Sequence, residues 1–188
     1  MAQVANSPVV FPDRDAITTS FVQANNWGGS DRSTGAQWLK IEFHYQVKPT
    51  VGDYEDEIQF NIWVEGRDML DPTGEPGKGV AVGLTGSVSY VNVIKGRDMY
   101  GVVYLHPSTL GRYNGGGGQS DFEKKFNIHV EATVGGQYMD SIDRNKEQDN
   151  AWYKQLKAIP GLLYIQNQSP FITTDPDRYP ALKLPKSS

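Results

Sequence analysis

The sequence contains no cysteine among its 188 residues. Disulfides, zinc–thiolate sites and cysteine nucleophiles are therefore excluded. No apolar run approaches the roughly 20 residues that a transmembrane helix needs. A dominant basic stretch is also lacking, because the net charge is -4 and both signs are mixed along the chain. Proteins that bind nucleic acid concentrate Lys and Arg on one face, so no nucleic-acid partner is expected.

No signal peptide is visible at the start of the sequence. Met1 and Ala2 lead directly into a polar stretch, without the basic and apolar regions of such a segment. The 20 Gly, 11 Pro and 10 Tyr residues are typical of strands and turns and favour an extracytoplasmic protein over a cytosolic one. We expect a cell-surface or periplasmic location for a mature domain that lacks its export segment, and a membrane anchor upstream of residue 1 stays open.

Strict alternation of apolar and polar residues predicts half-buried strands at 38–48, 57–65 and 121–134. Pro49 ends the first strand, because proline has no N–H to donate to a ladder. In 121–134 the polar face is predicted to be exposed to solvent. The residues predicted to face inward in the first two strands are Leu39, Ile41, Phe43, Tyr45, Val47, Ile58, Phe60, Ile62 and Val64.

Further strands are predicted at 16–23, 79–94, 98–106, 162–167 and, as a terminal extended piece, 171–174. Gly83 and Gly86 interrupt the segment 79–94 and indicate a bulge or a close backbone approach. The segment 74–79 is similar to a phosphate-binding loop, but it lacks the Ser or Thr after Lys78 and a following helix. We interpret it as a hairpin loop.

One short helix is predicted at about 147–158. Trp152, Leu156 and Ile159 share one helical face at this spacing. Pro160 and Gly161 would end it.

These elements predict an all-β fold of about seven or eight strands with one helix. Antiparallel strands with one wet face bury the other face against a second layer, so an immunoglobulin-like sandwich is expected. An OB-like barrel is the alternative. We expect a single domain over 1–188, with extended segments at 1–15 and 175–188. Trp38 and Trp63 lie on the polar side of their strands.

Residues that carry catalysis or bind metals are sparse. The three histidines, His44, His106 and His129, lack the close pairing of metal sites and are interpreted as surface or strand-end residues. No G-x-S-x-G elbow occurs, since Gly86-Ser87-Val88 lies within a strand. We therefore predict no catalytic, cofactor-binding or metal-binding residue, and no cofactor.

Carboxylates cluster in one short segment, where charged runs are usually solvated. The cluster comprises Asp53, Glu55, Asp56 and Glu57. Whether Ca²⁺ binds there, or at Asp140 and Asp143, stays open, because the loop pattern of a calcium site is missing.

Exposed aromatic residues on a sandwich can stack on sugar rings or form a protein interface. Trp27, Trp63 and Tyr113 are the candidate ligand or interface residues. Tyr90, Tyr100 and Tyr104 are further aromatic residues that could be exposed, and most such rings are expected to pack in the core or against loops.

Four segments carry a resemblance to a known family: LKIEFHYQVKP, DEIQFNIWVEG, FEKKFNIHVEATV and AIPGLLYIQNQSPFITTDPDRYPALKLP. Together they resemble a protein of the type IV pilus-like gene cluster of Akkermansia-type Verrucomicrobia, over nearly the whole chain. The resemblance implies a secreted or membrane-anchored immunoglobulin-like domain, similar to archaeal pilus and archaellum-associated subunits. It implies no catalytic residue.

Two functions remain as hypotheses. The first is a non-enzymatic, pilus-associated structural or assembly protein that acts through protein–protein contacts, as a homo-oligomer or with other pilus components. Edge strands, or polar faces such as 40–48 and 123–133, would make those contacts. The alternative is an extracellular carbohydrate- or surface-binding adhesion module that takes a host glycan or mucin.

Overall fold

The structure, a computed structural model, describes residues 7–12, 15–24, 37–74, 78–114, 126–145, 151–173, 175 and 177–184. The five-stranded sheet contains β1 (Val9–Val10), β2 (Ile17–Gln23), β3 (Gln37–Val47), β6 (Asp98–Leu105) and β10 (Leu163–Ile165). The six-stranded sheet contains β4 (Tyr54–Asp68), β5 (Val80–Ile94), β7 (Ile128–Val134), β8 (Gln137–Arg144), β9 (Lys157–Pro160) and β11 (Ala181–Leu182).

The two sheets lie face to face as a sandwich, and no barrel closes among the described strands. The sandwich prediction is therefore confirmed over the barrel alternative. The inward-facing residues of β3 and β4 were predicted correctly from their alternation, because all of them are fully buried: Leu39, Ile41, Phe43, Tyr45, Val47, Ile58, Phe60, Ile62 and Val64.

Side chains join the two sheets along both sides of the sandwich. On one side, Phe11 N donates to Asp140 Oδ2 over 3.0 Å, and the Arg144 guanidinium donates to the Thr19 hydroxyl. These bonds tie β8 to the β1–β2 edge. On the other side, the buried Tyr90 hydroxyl of β5 accepts from Val102 N of β6 at 2.9 Å. The last bond satisfies a strand amide that would otherwise be buried without a partner.

Several predicted boundaries need correction. The described part of the chain has eleven strands instead of seven or eight. β1, β9 and β11 are short pairings that alternation does not reveal, and the eight-residue β8 was also not predicted. Residues 171–173 form turns instead of a strand. The strand predicted at 121–134 begins at Ile128 within the described residues, and 121–125 lie outside them. The segment 74–79 lies between β4 and β5, which pair antiparallel as a hairpin requires, and its residues 75–77 lie outside the described ones.

The predicted helix at 147–158 is wrong over its described part. Trp152–Gln155 form a single 3₁₀ turn, and β9 then runs parallel to β5. The α-helix lies instead at Pro107–Tyr113, here named α1. The sequence feature that indicates the start of α1 is Pro107, because proline is favoured in the first helical turn. Gly111 in its interior made the segment a weak helix former.

Two glycines in strands lie where a neighbouring residue leaves no room for a side chain. A Cβ on Gly86 would lie 2.8 Å from Leu163 Cβ, which confirms the predicted close approach and shows that β5 and β10 meet there. A Cβ on Gly101 would lie 2.2 Å from Phe43 Cζ. The Phe43 ring thus lies across Gly101, the residue opposite it on β6.

Gly101→Ala is expected to lower the free energy of unfolding by about 2 kcal/mol, because the added methyl must displace a fully buried ring. Chemical denaturation measures the change. Gly111→Ala is the control, since a Cβ there meets nothing within 4 Å. It should leave stability unchanged or raise it by up to about 1 kcal/mol. Equal effects of the two substitutions would contradict the packing described for Gly101.

Candidate functional site

The structure describes two of the three aromatic residues that were predicted to contact a ligand or partner. Trp63 is half-buried on the outer face of β4, with ring centroids 4.8 Å from Tyr153 and 5.5 Å from His129. Tyr113 ends α1 and is only 5% exposed. Trp27 lies outside the described residues. Trp63 therefore offers the more accessible ring of the two, and ligand roles for all three stay predictions.

The three histidines occupy different environments. His44 lies on β3 with Nε2 3.0 Å from Asp98 Oδ1, and it is partly exposed. His106 follows β6, where its Nδ1 accepts from Ser108 N and caps α1. His129 lies at the start of β7, as predicted for a strand-end residue, but it is only 2% exposed and therefore not a surface residue.

The burial of His129 results from residues 151–156, here named the crossing segment, which lie over the outer face of the six-stranded sheet before β9. Trp152 Nε1 donates to Asp143 Oδ1 of β8 at 2.8 Å. Tyr153 stacks on His129 of β7 at 3.8 Å, and Leu156 lies against β5. Consecutive parts of this segment thus contact successive strands. The predicted wet face of β7 is therefore wrong at this end of the strand.

His129 and Asp143 form a buried pair beneath this segment. Nδ1 of His129 lies 3.0 Å from Oδ1 of Asp143, and their side chains are 3% and 2% exposed. A serine-type triad would place a hydroxyl nucleophile on Nε2. Within the described residues, Nε2 has no hydrogen-bond partner, and Tyr153 covers the ring. The geometry thus supports anchoring of the crossing segment, and the described residues place no nucleophile beside the pair.

A second segment, the chain after β10, covers part of the outer face of the five-stranded sheet. Arg178 donates to both carboxylate oxygens of Glu42, at 3.0 and 2.7 Å, and the Tyr179 hydroxyl donates to Oε2. Lys40 Nζ lies 2.9 Å from the same carboxylate. The Arg178 guanidinium also stacks over Tyr100 at 4.0 Å. Glu42, on the predicted wet side of β3, is consequently only 9% exposed.

The same segment covers the outward-facing aromatic residues. Phe171 stacks on Tyr104 at 4.9 Å and packs edge-on against Trp38 at 6.0 Å. Both covered rings are buried although they lie on the polar side of their strands. The two polar faces predicted to self-associate, 40–48 and 123–133, are therefore partly occupied by the chain itself.

Glu42 gives the fold a pH dependence. Burial alone would raise the pKa of Glu42, but hydrogen bonds from Arg178, Tyr179 and Lys40 lower it from 4.5 to about 2. A lowered folded-state pKa stabilises the fold fully above the unfolded value, and the stabilisation is lost as the pH falls through the folded value. We expect Glu42 to contribute about 2 to 3 kcal/mol that disappears between about pH 5 and pH 2.

Denaturation of the wild type and of Glu42→Gln across this pH range measures that contribution. The amide cannot ionise, so the difference between the two proteins should shrink as the pH falls. Parallel stability curves would show that Glu42 does not titrate with the fold.

Metal-binding geometry is absent from the described part of the chain, where no group of three or more His, Asp or Glu residues could hold an ion. In the acidic segment, Glu55 pairs with Lys95. Asp140 accepts from two backbone amides, and Asp143 is engaged by His129 and Trp152. The carboxylates of Glu55, Asp140 and Asp143 thus already serve the fold.

Sequence reasoning missed the residues that hold the two crossing segments. Glu42 and Asp143 belong to alternating strands and look like ordinary solvated carboxylates. Their partners Arg178 and Trp152 are distant in the chain or lie in a segment predicted to be helical. Composition and periodicity carry no signal for such pairings.

One edge strand is long and carries no charge. β2 has seven residues, ITTSFVQ, and pairs with β3 alone among the described strands. His44 N donates to Ala16 O, so the antiparallel register directs the backbone groups of residues 16, 18, 20 and 22 toward β3. The outward-directed backbone groups belong to Ile17, Thr19, Phe21 and Gln23.

The other described edge strands are protected from pairing with a further strand. β8 carries Asp140, Asp143 and Arg144, and its register with β7 shifts at Ala132 and Thr133. β1, β9, β10 and β11 have two to four residues each. Charge, irregular register and short length are the devices that protect sheet edges from further pairing.

Comparisons with known proteins agree with this fold. A family model of pilus-associated proteins matches residues 12–186. The chain belongs to this pilus-associated family. A crystal structure of a protein from Akkermansia muciniphila is similar, with a TM-score of 0.73 and 21% identity over 98% of this chain and 100% of that chain. At this identity the likeness shows the fold. No curated protein matches the chain.

Membership in the family implies an extracellular or cell-surface location and suggests a structural role. Among the described residues, no helix has the length and hydropathy that crossing a membrane requires.

Proposed function

We propose that this protein is a structural or assembly component of a pilus that acts through protein–protein contacts, and that β2 makes the principal contact. The uncharged edge of β2 is the observation that carries the proposal. An exposed strand with free N–H and C=O groups is a template for pairing with another chain.

The covered faces strengthen this choice. Contacts through the sheet faces would have to displace Trp152 and Tyr153 on one side, or Arg178 and Tyr179 on the other. The first displacement would break the buried Asp143 hydrogen bonds. Strand addition at β2 leaves both segments in place. The partner is a second copy of the chain or another pilus component.

Light scattering over a wide concentration range tests the proposal. Thr19→Pro removes an outward-directed N–H, and proline is tolerated on an edge strand when that N–H faces solvent. We expect Thr19→Pro to abolish association of the wild-type protein. Thr19→Val is the matched control, because it also loses the hydrogen bond from Arg144 but keeps the N–H.

Thr19→Val should therefore associate like the wild type. Gln137→Lys, on the exposed start of β8, should also leave association unchanged. Association of Thr19→Pro equal to that of the wild type would reject β2 as the contact. A wild type that stays monomeric and captures no other pilus component would reject the function.

A second candidate function is the adhesion module, which the groove beside Trp63 favours. The groove lies on the six-stranded sheet and β2 on the other, so the two functions do not compete for one surface. Binding of the intact protein to a glycan-coated surface tests adhesion. A single domain over the whole chain, an upstream membrane anchor and a relation to archaeal pilus subunits remain part of the proposal.

A further inference from the structure

A groove of about 510 Å³ opens on the outer face of the six-stranded sheet, beside the crossing segment. Its floor is formed by neighbouring residues of three strands. Ser87 of β5 lies directly opposite Asn61 of β4, which in turn lies opposite Glu131 of β7. Trp63 lines the groove next to this row, and Pro160 and Gly161 form a wall.

The polar groups of the row are available for a ligand. The side chains of Glu131 and Ser87 make no hydrogen bond or ion pair within the described part of the chain. Asn61 Oδ1 accepts from Gln59 Nε2 at 2.9 Å. This bond fixes the orientation of the Asn61 amide, so that its NH₂ group remains a donor for the groove.

We propose that this groove binds a neutral saccharide. Sugar hydroxyls both donate and accept, which suits a row that combines an amide donor, a hydroxyl and a carboxylate acceptor. Neighbouring strands lie about 4.8 Å apart, a spacing similar to that of alternate hydroxyls around a pyranose ring. The apolar face of such a ring can stack on Trp63.

The charge of the lining selects among ligands. Glu131 is the one charged residue that lines the groove among the described residues, so an anionic sugar would meet a carboxylate without a compensating cation. A quaternary ammonium ligand would need aromatic faces around it. Among the described lining residues Trp63 is the one aromatic residue, and three of the polar lining groups, Asn61, Ser87 and Thr85, are neutral.

Ligand-observed NMR with the intact protein tests this site. The probes are lactose and N-acetyllactosamine, with 3′-sialyllactose and tetramethylammonium as comparison ligands. We expect saturable binding of the neutral sugars and weaker binding of the other two. Glu131→Gln and Asn61→Ala should each weaken neutral-sugar binding about tenfold, the effect of losing one good hydrogen bond.

Trp63→Phe keeps a ring against Tyr153 while it removes the indole, and it should also weaken binding. Asp56→Asn is the control, because it neutralises an exposed carboxylate on the same strand as Asn61 but outside this groove. Circular dichroism and melting temperature verify that each variant folds.

The site is wrong if no neutral sugar binds saturably, if the three groove variants bind like the wild type, or if sialyllactose or tetramethylammonium binds more tightly. Adhesion to a glycan surface that persists in all three variants would also reject this groove, yet it would leave the adhesion function standing. The assembly function is independent of every outcome, since its two deciding variants, both at Thr19, lie on the other sheet.

Discussion

Phe60→Ala is expected to lower the free energy of unfolding by about 4 kcal/mol. Phe60 is fully buried on β4, at the centre of an aromatic cluster between the sheets. Its ring centroid lies 4.8 Å from Phe43, 4.6 Å from Tyr45 and 6.2 Å from Tyr90. Truncation therefore leaves a cavity surrounded by rigid rings that cannot collapse into it. Chemical denaturation measures the loss.

Tyr45→Phe is the control within the same cluster. The Tyr45 hydroxyl is buried and has no hydrogen-bond partner among the described residues. Its removal should leave stability unchanged or raise it by about 1 kcal/mol, because an unsatisfied polar group is lost. A small effect of Phe60→Ala together with a large loss for Tyr45→Phe would contradict the proposed core.

Asp143→Ala is expected to cost about 3 to 5 kcal/mol, as is typical when one partner of a buried pair is removed. The substitution leaves the ring N–H groups of His129 and Trp152 buried without their acceptor. The crossing segment should loosen as a result, so fluorescence of Trp152 should shift before global unfolding. Denaturation followed by fluorescence and by circular dichroism measures both effects.

Asp98→Ala is the matched control. Its partner His44 lies at the same 3.0 Å distance as in the buried pair, but the Asp98 side chain is 58% exposed. Exposed pairs contribute little because water replaces the lost partner. Stability close to that of the wild type is expected. Equal losses in the two alanine variants would show that burial of Asp143 does not matter.

The inner faces of the sandwich could be predicted from the sequence because period-two alternation is a local signal. The apolar residues at every second position from Leu39 to Val47 and from Ile58 to Val64 are all fully buried. Antiparallel strands that alternate in this way need a second layer, so the sandwich followed from the same pattern.

The outer faces could not be predicted, because their burial depends on segments from elsewhere in the chain. His129 and Glu42 look like solvated residues until Tyr153 and Arg178 are placed over them. The spacing of Trp152 and Leu156 fits a helix, but tertiary contacts with the sheet hold them in a short turn and an extended segment. Local periodicity does not distinguish these outcomes.

The candidate site was predictable only in part. Trp63 was selected because it interrupts the polar side of its strand with a large ring, and it lines the groove. Its neighbours Asn61, Ser87 and Glu131 belong to three strands whose register was unknown. The lack of charge in ITTSFVQ was visible in the sequence, whereas its position at a sheet edge required the topology.

The central claim is that assembly proceeds through the edge of β2. Amide hydrogen exchange along this strand is its most direct test. In dilute protein, the amides of Thr18, Ser20 and Val22 should be protected by β3, while those of Thr19 and Phe21 exchange rapidly. On assembly, Thr19 and Phe21 should become protected as well. Assembly that leaves these two amides in rapid exchange, with new protection confined to the sheet faces, would contradict the account.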